Sequence, residues 1–427
     1  MGDEDEEPLS PMARVFQLPD NDCCVITIIV RCGASWIKTR VNVEDHVIVA
    51  DVDMNEIGED GESFVEDYIS RLTMLPLNKS KPLWDIHILN VKTSDAEAVC
   101  VIRSHHSLGD GTSLMSLLLA CTSHEDTVTT IPPQKGRKMV DKDKGSRILR
   151  SVHKICSSLK LIWNNFVDIL LVLATTLFLK DSKTPLKGDT GVENNQKKFC
   201  HRVVPIDDIK LIKEPMNMTI NDVLLGITQA ALSRYLEQFP GKIRLRAGVF
   251  VNLRPDTGIQ SLAYMMAKSS KCRWGNYINS TIFLFSIRLE TDPLVYLSKA
   301  KSTMDRKKNS LQPALLYSNT AFILDILGAK ASAIIFNRLV SNITTFISNM
   351  IGPKEEISFH GHPIAYIAPS VYGHAHALSI HFLSYAEKMV ISIGVDPTAV
   401  PNPHKLCDRG LSESDKSSSL GKRITLV

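Results

Sequence analysis

The segment formed by residues 132–179 constrains the fold more than any other part of the chain. Residues 135–160 hold nine Lys or Arg against two Asp, and the 19 residues 161–179 carry one charge, Asp168. A spanning helix needs about 20 apolar residues, and a central Asp costs about 2.5–3.5 kcal/mol on insertion. The apolar stretch therefore predicts a helix that lies in a membrane interface, spans the membrane, or is buried against the protein. The basic stretch is either a solvated linker or a patch attracted to an anionic membrane.

Short strands and helices are expected on both sides of this segment, and 427 residues are too many for one ordinary domain. The patterns predict strands at 24–30, 41–53, 83–91 and 96–104, with helices at 63–74 and 111–123. Beyond the segment they predict helices at 218–239 and 294–309, and further strands and helices at 243–255, 276–289, 333–350, 376–385 and 388–397. We therefore predict an α/β (α+β) fold with domains at 1–131 and 196–408, a linker at 132–195 and a polar tail at 409–427.

Composition excludes several classes of function. Lys and Arg number 49 against 46 acidic residues, without the basic excess that is typical of nucleic-acid binders. Nine cysteines form no Cys-x-x-Cys pair, so a zinc ribbon or a thioredoxin-like site is not expected, and we expect reduced thiols facing the cytosol. His374, His376 and His381 have no Cys or acidic partner in the sequence pattern, so no metal site is predicted there.

The residues most suggestive of chemistry are 105–111, His-His-Ser-Leu-Gly-Asp-Gly, between a predicted strand and a predicted helix. Consecutive strand side chains point to opposite faces, so at least one imidazole is expected to face a cavity or solvent. A neutral imidazole can accept the proton of a hydroxyl at neutral pH. Asp110 is expected to cap the helix, and Gly109 and Gly111 to permit a tight turn that brings Asp110 towards the ring. A loop without chemistry is the alternative.

His-His-x-x-x-Asp-Gly resembles the active-site motif of the CoA-dependent acyltransferase superfamily. Further stretches are similar to the plant wax ester synthase/diacylglycerol acyltransferase family, namely residues 8–17, 41–49, 82–89, 184–188, 221–226, 252–255, 273–276 and 348–353. The resemblance extends from Pro8 to Asp408, in the family's order. It implies two chloramphenicol-acetyltransferase-like domains, each a mixed sheet with flanking helices, and an active site at their interface.

The resemblance also implies an activity and the residues that perform it. A long-chain acyl group would pass from fatty acyl-CoA to a long-chain alcohol, to diacylglycerol, or to both, without a metal or other cofactor. The residues expected to be catalytic are His106 as general base, His105, Asp110 and Gly111. Asn276 and Asn349 are candidate oxyanion donors. Asn221 and Asp222 either support the site or begin a helix, with Thr219 and Asp222 as a capping box.

Two departures from the family leave other functions open. The chain is a few dozen residues shorter than expected between residues 16 and 41, and it is polar and Ser-rich after residue 408. A catalytically weak, membrane-bound lipid-binding isoform is therefore the alternative to an enzyme. An acyltransferase acting on a soluble phenol or amine is a third hypothesis, which the missing Asp-Phe-Gly-Trp-Gly motif of that branch disfavours. We expect a membrane surface as partner, on the cytosolic side of the endoplasmic reticulum or, alternatively, at the plasma membrane.

Overall fold

The structure is a computed structural model that describes residues 6–8, 35–37, 41–52, 60–122 except 79, and 147–408 except 240, 257, 268 and 309. The predicted strand at 24–30, most of the motif at 8–17, the basic residues 135–146 and the tail at 409–427 lie outside the described residues. The chain is α/β with mixed sheets, as the sequence predicted.

The N-terminal part contains a small mixed sheet. Its strands β3 (Val47–Val49), β4 (Trp84–Leu89) and β5 (Val99–Ser104) lie in that order, with β3 parallel and β5 antiparallel to β4. A separate antiparallel pair joins β1 (Glu6–Pro8) to β2 (Ser35–Ile37). Helix α1 (Gly61–Leu72) packs on the small sheet through its apolar side chains, and helix α2 (Gly111–Ala120) follows β5.

The C-terminal part is built on a six-stranded mixed sheet in the order β6-β13-β12-β9-β7-β8. The long strands are β6 (Lys198–Pro205), β7 (Arg244–Asn252), β8 (Ile278–Ser286), β9 (Thr345–Ile351), β12 (Leu378–Tyr385) and β13 (Lys388–Val395). β12 and β7 run parallel to β9, and the other pairings are antiparallel. A short pair, β10 (Ser358–Phe359) and β11 (His362–Pro363), lies outside this sheet.

Six helices accompany this sheet: α3 (Arg147–Leu177), α4 (Ile206–Lys213), α5 (Ile220–Tyr235), α6 (Leu262–Met266), α7 (Pro293–Lys308) and α8 (Gln312–Ser341). The apolar side chains of α4, α5 and α7 form one large core with the sheet. Helix α8 bends at Gly328, where φ is 74°. The apolar segment between the two parts is therefore a helix, α3, as the sequence predicted.

Several strands and helices differ in length or position from those that the sequence predicted. Residues 41–53 contain only the three-residue strand β3, preceded by a 3-10 turn at Val43–Asp45. The strand expected at 96–104 begins only at Val99, and Cys100 and Ile102 are exposed on one of its faces. The stretch 333–350 divides into the end of α8 and strand β9, and β6, α4 and the first half of α8 were not anticipated.

The two parts contact each other next to β6. Ser70 Oγ donates to the carbonyl of Lys197 at 2.7 Å, and the Lys197 N–H donates to Thr73 Oγ1 at 3.1 Å. The predicted boundary at residue 131 lies outside the described residues, so the domain limits stay a prediction. Cys200 and Cys407 lie 3.4 Å apart, sulfur to sulfur, as free thiols.

Candidate active site

The two consecutive histidines lie just after strand β5 and contact different parts of the chain. His105 is fully buried, and its Nδ1 accepts a hydrogen bond from the Ser107 backbone N–H at 3.1 Å. The Ser107 hydroxyl lies 2.5 Å from the same nitrogen. Since Nδ1 is an acceptor, the ring carries its proton on Nε2. His105 thus fixes the loop from inside the N-terminal part.

His106 points across to the C-terminal part and is the less buried of the pair. Its Nδ1 lies 3.0 Å from Asn276 Oδ1, and Asn276 Nδ2 donates to the His106 carbonyl at 2.8 Å. The second bond fixes the orientation of the amide, so Oδ1 faces the ring and accepts the Nδ1 proton. The lone pair of the neutral imidazole is therefore on Nε2, the atom that can accept a proton from a substrate.

Burial lowers the pKa of His106 below its ordinary value, and this is the dominant influence on the ring. A backbone hydrogen bond of the ring, the charge of Asp110 and the hydrogen bond that the ring donates to Asn276 each raise the pKa, with smaller effects. His106 is consequently neutral at physiological pH, which is the state required of a general base.

Asp110 caps helix α2 and forms a buried ion pair. Its Oδ1 accepts from the Ser113 N–H at 3.0 Å, which confirms the expected N-cap. Its Oδ2 accepts from Arg254 Nη1 at 2.7 Å and from the Tyr277 N–H at 2.9 Å. The carboxylate is therefore engaged by the helix start and by the connection between β7 and β8, and it acts on His106 through its charge.

Arg254 was not anticipated as a site residue, although its motif Asn-Leu-Arg-Pro was noted. Besides Asp110, its guanidinium donates to Ser113 Oγ at 2.9 Å and to the Gly275 carbonyl at 2.8 Å. Both Asp110 and Arg254 side chains are almost completely buried. Arg254 thus holds the histidine loop against the residues that position Asn276. The only feature of the sequence that could have indicated this role is an Arg in a short motif far along the chain from the histidines.

The glycines have different roles from those expected. Neither Gly109 nor Gly111 has a positive φ, so the turn itself does not require them. A Cβ on Gly111 would lie 2.4 Å from Met350 Sδ, and one on Gly109 would lie 2.8 Å from Ser113 Cβ. They permit close packing. Gly275, by contrast, has a φ of 120°, a backbone conformation that residues with a side chain rarely adopt.

Asp222 lies in the first turn of helix α5. The capping box with Thr219 is present, as the sequence predicted, and Lys308 Nζ donates to both Asp222 carboxylate oxygens at 2.8 Å. These contacts join α5 to the end of α7. Asn221 is the second residue of the same helix. Support of the reaction by Asn221 and Asp222 stays a prediction.

Asn349 lies on β9, one residue before the Met350 side chain that packs near Gly111. Because consecutive strand residues face opposite ways, Asn349 points to the other side of the sheet from Met350. Its expected role as an oxyanion donor stays a prediction.

Other residues around His106 were missed by sequence reasoning. Trp274 Nε1 donates to the Leu108 carbonyl at 2.7 Å, and the Tyr317 hydroxyl donates to the Asn276 carbonyl at 3.2 Å. The Tyr277 ring lies 5.9 Å from that of Tyr317 and 5.2 Å from the Arg254 guanidinium carbon. Tyr317 is on α8, a helix without a recognisable site motif.

His374, His376 and His381, for which no metal site was predicted, lie near one another, and the charge of His106 acts on His381. Burial lowers the pKa of each to about 3, and His376 Nε2 lies 3.0 Å from the Val340 carbonyl. Among the described residues, no group of three His, Cys, Asp or Glu side chains is arranged to hold a metal ion.

The sequence of the chain matches known protein families and individual relatives. Residues 33–224 match the family described as "Wax ester synthase/diacylglycerol acyltransferase catalytic domain", and residues 274–413 match "WS/DGAT C-terminal domain". Wax ester synthase/diacylglycerol acyltransferases 7 and 8 of Arabidopsis thaliana are each 53% identical to this chain, over 95% and 96% of it and 95% of their own length. The first alignment is 458 residues long, more than this 427-residue chain, so that relative holds residues that this chain lacks.

Solved structures show the fold. A wax ester synthase/diacylglycerol acyltransferase from Marinobacter aquaeolei VT8 superimposes with a TM-score of 0.56, at 16% identity, over 95% of this chain and 87% of its own. A mutant starter condensation domain of rhizomide synthetase RzmA in complex with C8-CoA gives 0.52, at 15% identity, over 96% and 85%. The architecture is therefore that of the condensation-domain and chloramphenicol-acetyltransferase group.

Proposed function

Because the chain belongs to the wax ester synthase/diacylglycerol acyltransferase family, we propose that it transfers a long-chain acyl group from fatty acyl-CoA to a long-chain alcohol, to diacylglycerol, or to both. One observation carries this proposal. The His106 imidazole is neutral, and Asn276 holds it so that the lone pair is on Nε2. That is a general base for a hydroxyl between the two parts of the chain.

The reaction follows from this arrangement. His106 Nε2 takes the proton of the acceptor hydroxyl while the oxygen attacks the thioester carbonyl carbon of acyl-CoA. A tetrahedral oxyanion forms and collapses, the carbon–sulfur bond breaks, and the thiolate leaves with the electron pair. The imidazolium can then return its proton to the thiolate. The acyl group passes directly to the acceptor, so no covalent acyl-enzyme, metal or other cofactor is required, and acyl-CoA is a co-substrate.

The neighbouring residues are assigned to positioning. Asn276 bonds the ring and the carbonyl of His106, so its first role is orientation of the base and not oxyanion binding. The pair of Asp110 and Arg254 fixes the loop against the residues around Gly275. His105 holds the same loop from the other side.

The substrates place the reaction at a membrane, since long-chain alcohols and diacylglycerol are dissolved in lipid. We propose the cytosolic face of the endoplasmic reticulum as the site of action. A fluorescent fusion of the full chain should coincide with a reticulum marker. Coincidence with a plasma-membrane marker instead would replace this proposal with the alternative location.

The activity is tested in yeast that lacks its own neutral-lipid synthesis. The chain and its His106→Ala variant are expressed, hexadecanol is supplied, and wax esters and triacylglycerol are separated by thin-layer chromatography. We expect wax ester, triacylglycerol or both from the parent chain and neither from the variant. The ratio of the two products identifies the preferred acceptor.

Immunoblotting of the membrane fraction is the control, since it shows that both chains are present at equal amounts. No ester from a well-expressed, membrane-bound parent would contradict the enzymatic proposal. That outcome would favour the lipid-binding isoform, in agreement with residues that the Arabidopsis relative has and this chain lacks.

A further inference from the structure

Helix α3 carries a continuous stripe of exposed apolar side chains. Apart from the adjacent pair Ile162 and Trp163, each follows the one before it by three or four residues, so they share one helix face: Ile155, Leu159, Ile162, Trp163, Phe166, Leu170, Leu173 and Leu177. Trp163 is 64% exposed, and Phe178, directly after the helix, is 70% exposed. A contiguous apolar surface of this size on a folded chain marks an interaction site.

The opposite face of α3 is polar and bound to the protein. Asp168 is buried and accepts hydrogen bonds from Lys307 Nζ at 2.6 Å and Arg306 Nη1 at 2.9 Å. Two turns further, the Thr175 hydroxyl accepts a hydrogen bond from the buried Arg246, and the Thr175 carbonyl accepts one from Asn342 Nδ2 at 2.7 Å. The charge that was unexpected in an apolar sequence therefore attaches this helix to α7.

These contacts oppose a transmembrane arrangement. By length and composition, Ile155–Leu177 could cross a membrane, and only 11% of its apolar window is buried. To span, however, the helix would have to leave Lys307 and Arg306 and carry Asp168 into hydrocarbon, where a charge is costly. Lying in the membrane plane keeps every polar contact and buries only the stripe.

Helix α8 connects this surface to the site. Its end packs along α3, where Arg338 Nη2 donates to the Leu177 carbonyl at 3.0 Å. Its beginning reaches the residue that holds the base, through Tyr317 and the carbonyl of Asn276. Further exposed apolar side chains occur on both sides of its bend at Gly328, namely Ile326, Leu327, Ile334 and Ile335.

The charge of the residues near the stripe indicates what binds to it. Residues 135–160, which lead into it, hold nine Lys or Arg against two Asp, and Lys160 is exposed on α3 itself. Basic residues next to an apolar helix face are typical of attachment to anionic lipid. We propose that the α3 stripe, extended by α8, docks the chain in the plane of an anionic membrane without crossing it. This deepens the membrane placement proposed above, and binding alone can test it.

The first test is flotation of the purified chain with vesicles of phosphatidylcholine and about 30% phosphatidylserine, an anionic lipid of the cytosolic leaflet. Phe166→Asp with Leu173→Asp introduces two charges into the stripe. Leu75→Asp with Leu289→Asp is the matched control, since these four side chains are all 51–55% exposed. We expect vesicle binding to fall at least about tenfold in the stripe variant only. Equal binding of both variants, or no binding by the parent, would overturn the proposal.

The second test distinguishes a helix that lies in the membrane plane from a helix that spans the membrane. Single cysteines at positions 159, 166 and 173 are labelled with a fluorophore, in a chain where cysteines other than the buried Cys200, Cys272 and Cys407 are Ser. Quenching by brominated lipids then reports depth. In-plane docking predicts the same shallow depth at all three positions, whereas a spanning helix separates 159 from 173 by about 21 Å. A depth gradient would therefore overturn the proposal.

Loss of function is separable from loss of docking. Ester formation from detergent-dispersed substrates is measured with the same variants, which keep the residues around His106. If vesicle binding is as expected but no variant or parent forms ester, the proposed activity fails and the docking surface stands.

Discussion

Burial and one neighbouring residue determine how His106 can react. Burial keeps the imidazole neutral by lowering its pKa, and Asn276 selects the tautomer by accepting the Nδ1 proton. The first effect determines the pH range in which the ring can accept a proton. The second determines which nitrogen does so.

Replacing Asn276 by Asp changes the first effect without removing the second. A carboxylate next to the ring favours the imidazolium, so the pKa of His106 rises. Activity requires the neutral ring and falls as the pH decreases through this pKa. We therefore expect the acid limb of kcat/KM against pH to move to higher pH in Asn276→Asp.

The control for this prediction is Asn276→Leu, which removes the acceptor and adds no charge. It should lower kcat, because the tautomer is no longer selected, and should not move the acid limb upwards. An Asn276→Asp profile that coincides with that of the parent would contradict the role of Asn276 as the partner of His106.

For single residues, the sequence predicted that the histidines and Asp110 belong to the site, but it did not predict which side chains contact them. His106 and Asn276 are 170 residues apart. A local pattern shows which residue types could perform chemistry, whereas only the folded chain determines which side chains meet. Asn276 was consequently expected to bind an oxyanion, and Arg254 was not expected in the site at all.

At the scale of elements, the start of α2 depends on a charge from another part of the chain. Asp110 Oδ2 and Arg254 Nη1 form an ion pair whose side chains are each 1% exposed. A charge left without its partner at such a site is strongly destabilising.

Asp110→Asn keeps an oxygen for the helix cap but leaves Arg254 with its charge unneutralised. We expect a loss of about 3–5 kcal/mol in the free energy of unfolding, measured by urea denaturation. Lys92→Ala breaks an exposed pair with Glu97 and should cost less than about 1 kcal/mol. The double variant Asp110→Asn with Arg254→Met should lose less than the two single losses added together. Additive losses would show that the pair is not coupled.

Element prediction succeeded where periodicity was strong and local. Helices α1, α5 and α7 were predicted within a few residues, and α1 and α5 each begin at a side-chain N-cap. The strand expected at 41–53 is mostly absent, since alternation there does not correspond to a long pairing with β4. Helix α8 was missed over its first half because apolar residues occur on several sides of it, so no periodic pattern was visible.

At the scale of the whole molecule, the site exists because two distant parts of the chain meet. The loop of His105–Gly111 follows the small sheet, whereas Arg254, Gly275 and Asn276 lie on the connection between two strands of the large one. Helix α3 lies between these parts in sequence, and one apolar face of it is exposed. Catalysis and attachment to the membrane are thus provided by different elements of one fold.

The most direct test is the release of CoA by the purified chain from palmitoyl-CoA, followed with a thiol reagent, with and without hexadecanol. Direct transfer with His106 as base predicts CoA release only when the alcohol is present. It also predicts a rate lower by about 10²–10⁴-fold in His106→Ala. A stoichiometric burst of CoA without acceptor, or an unchanged rate in His106→Ala, would contradict it.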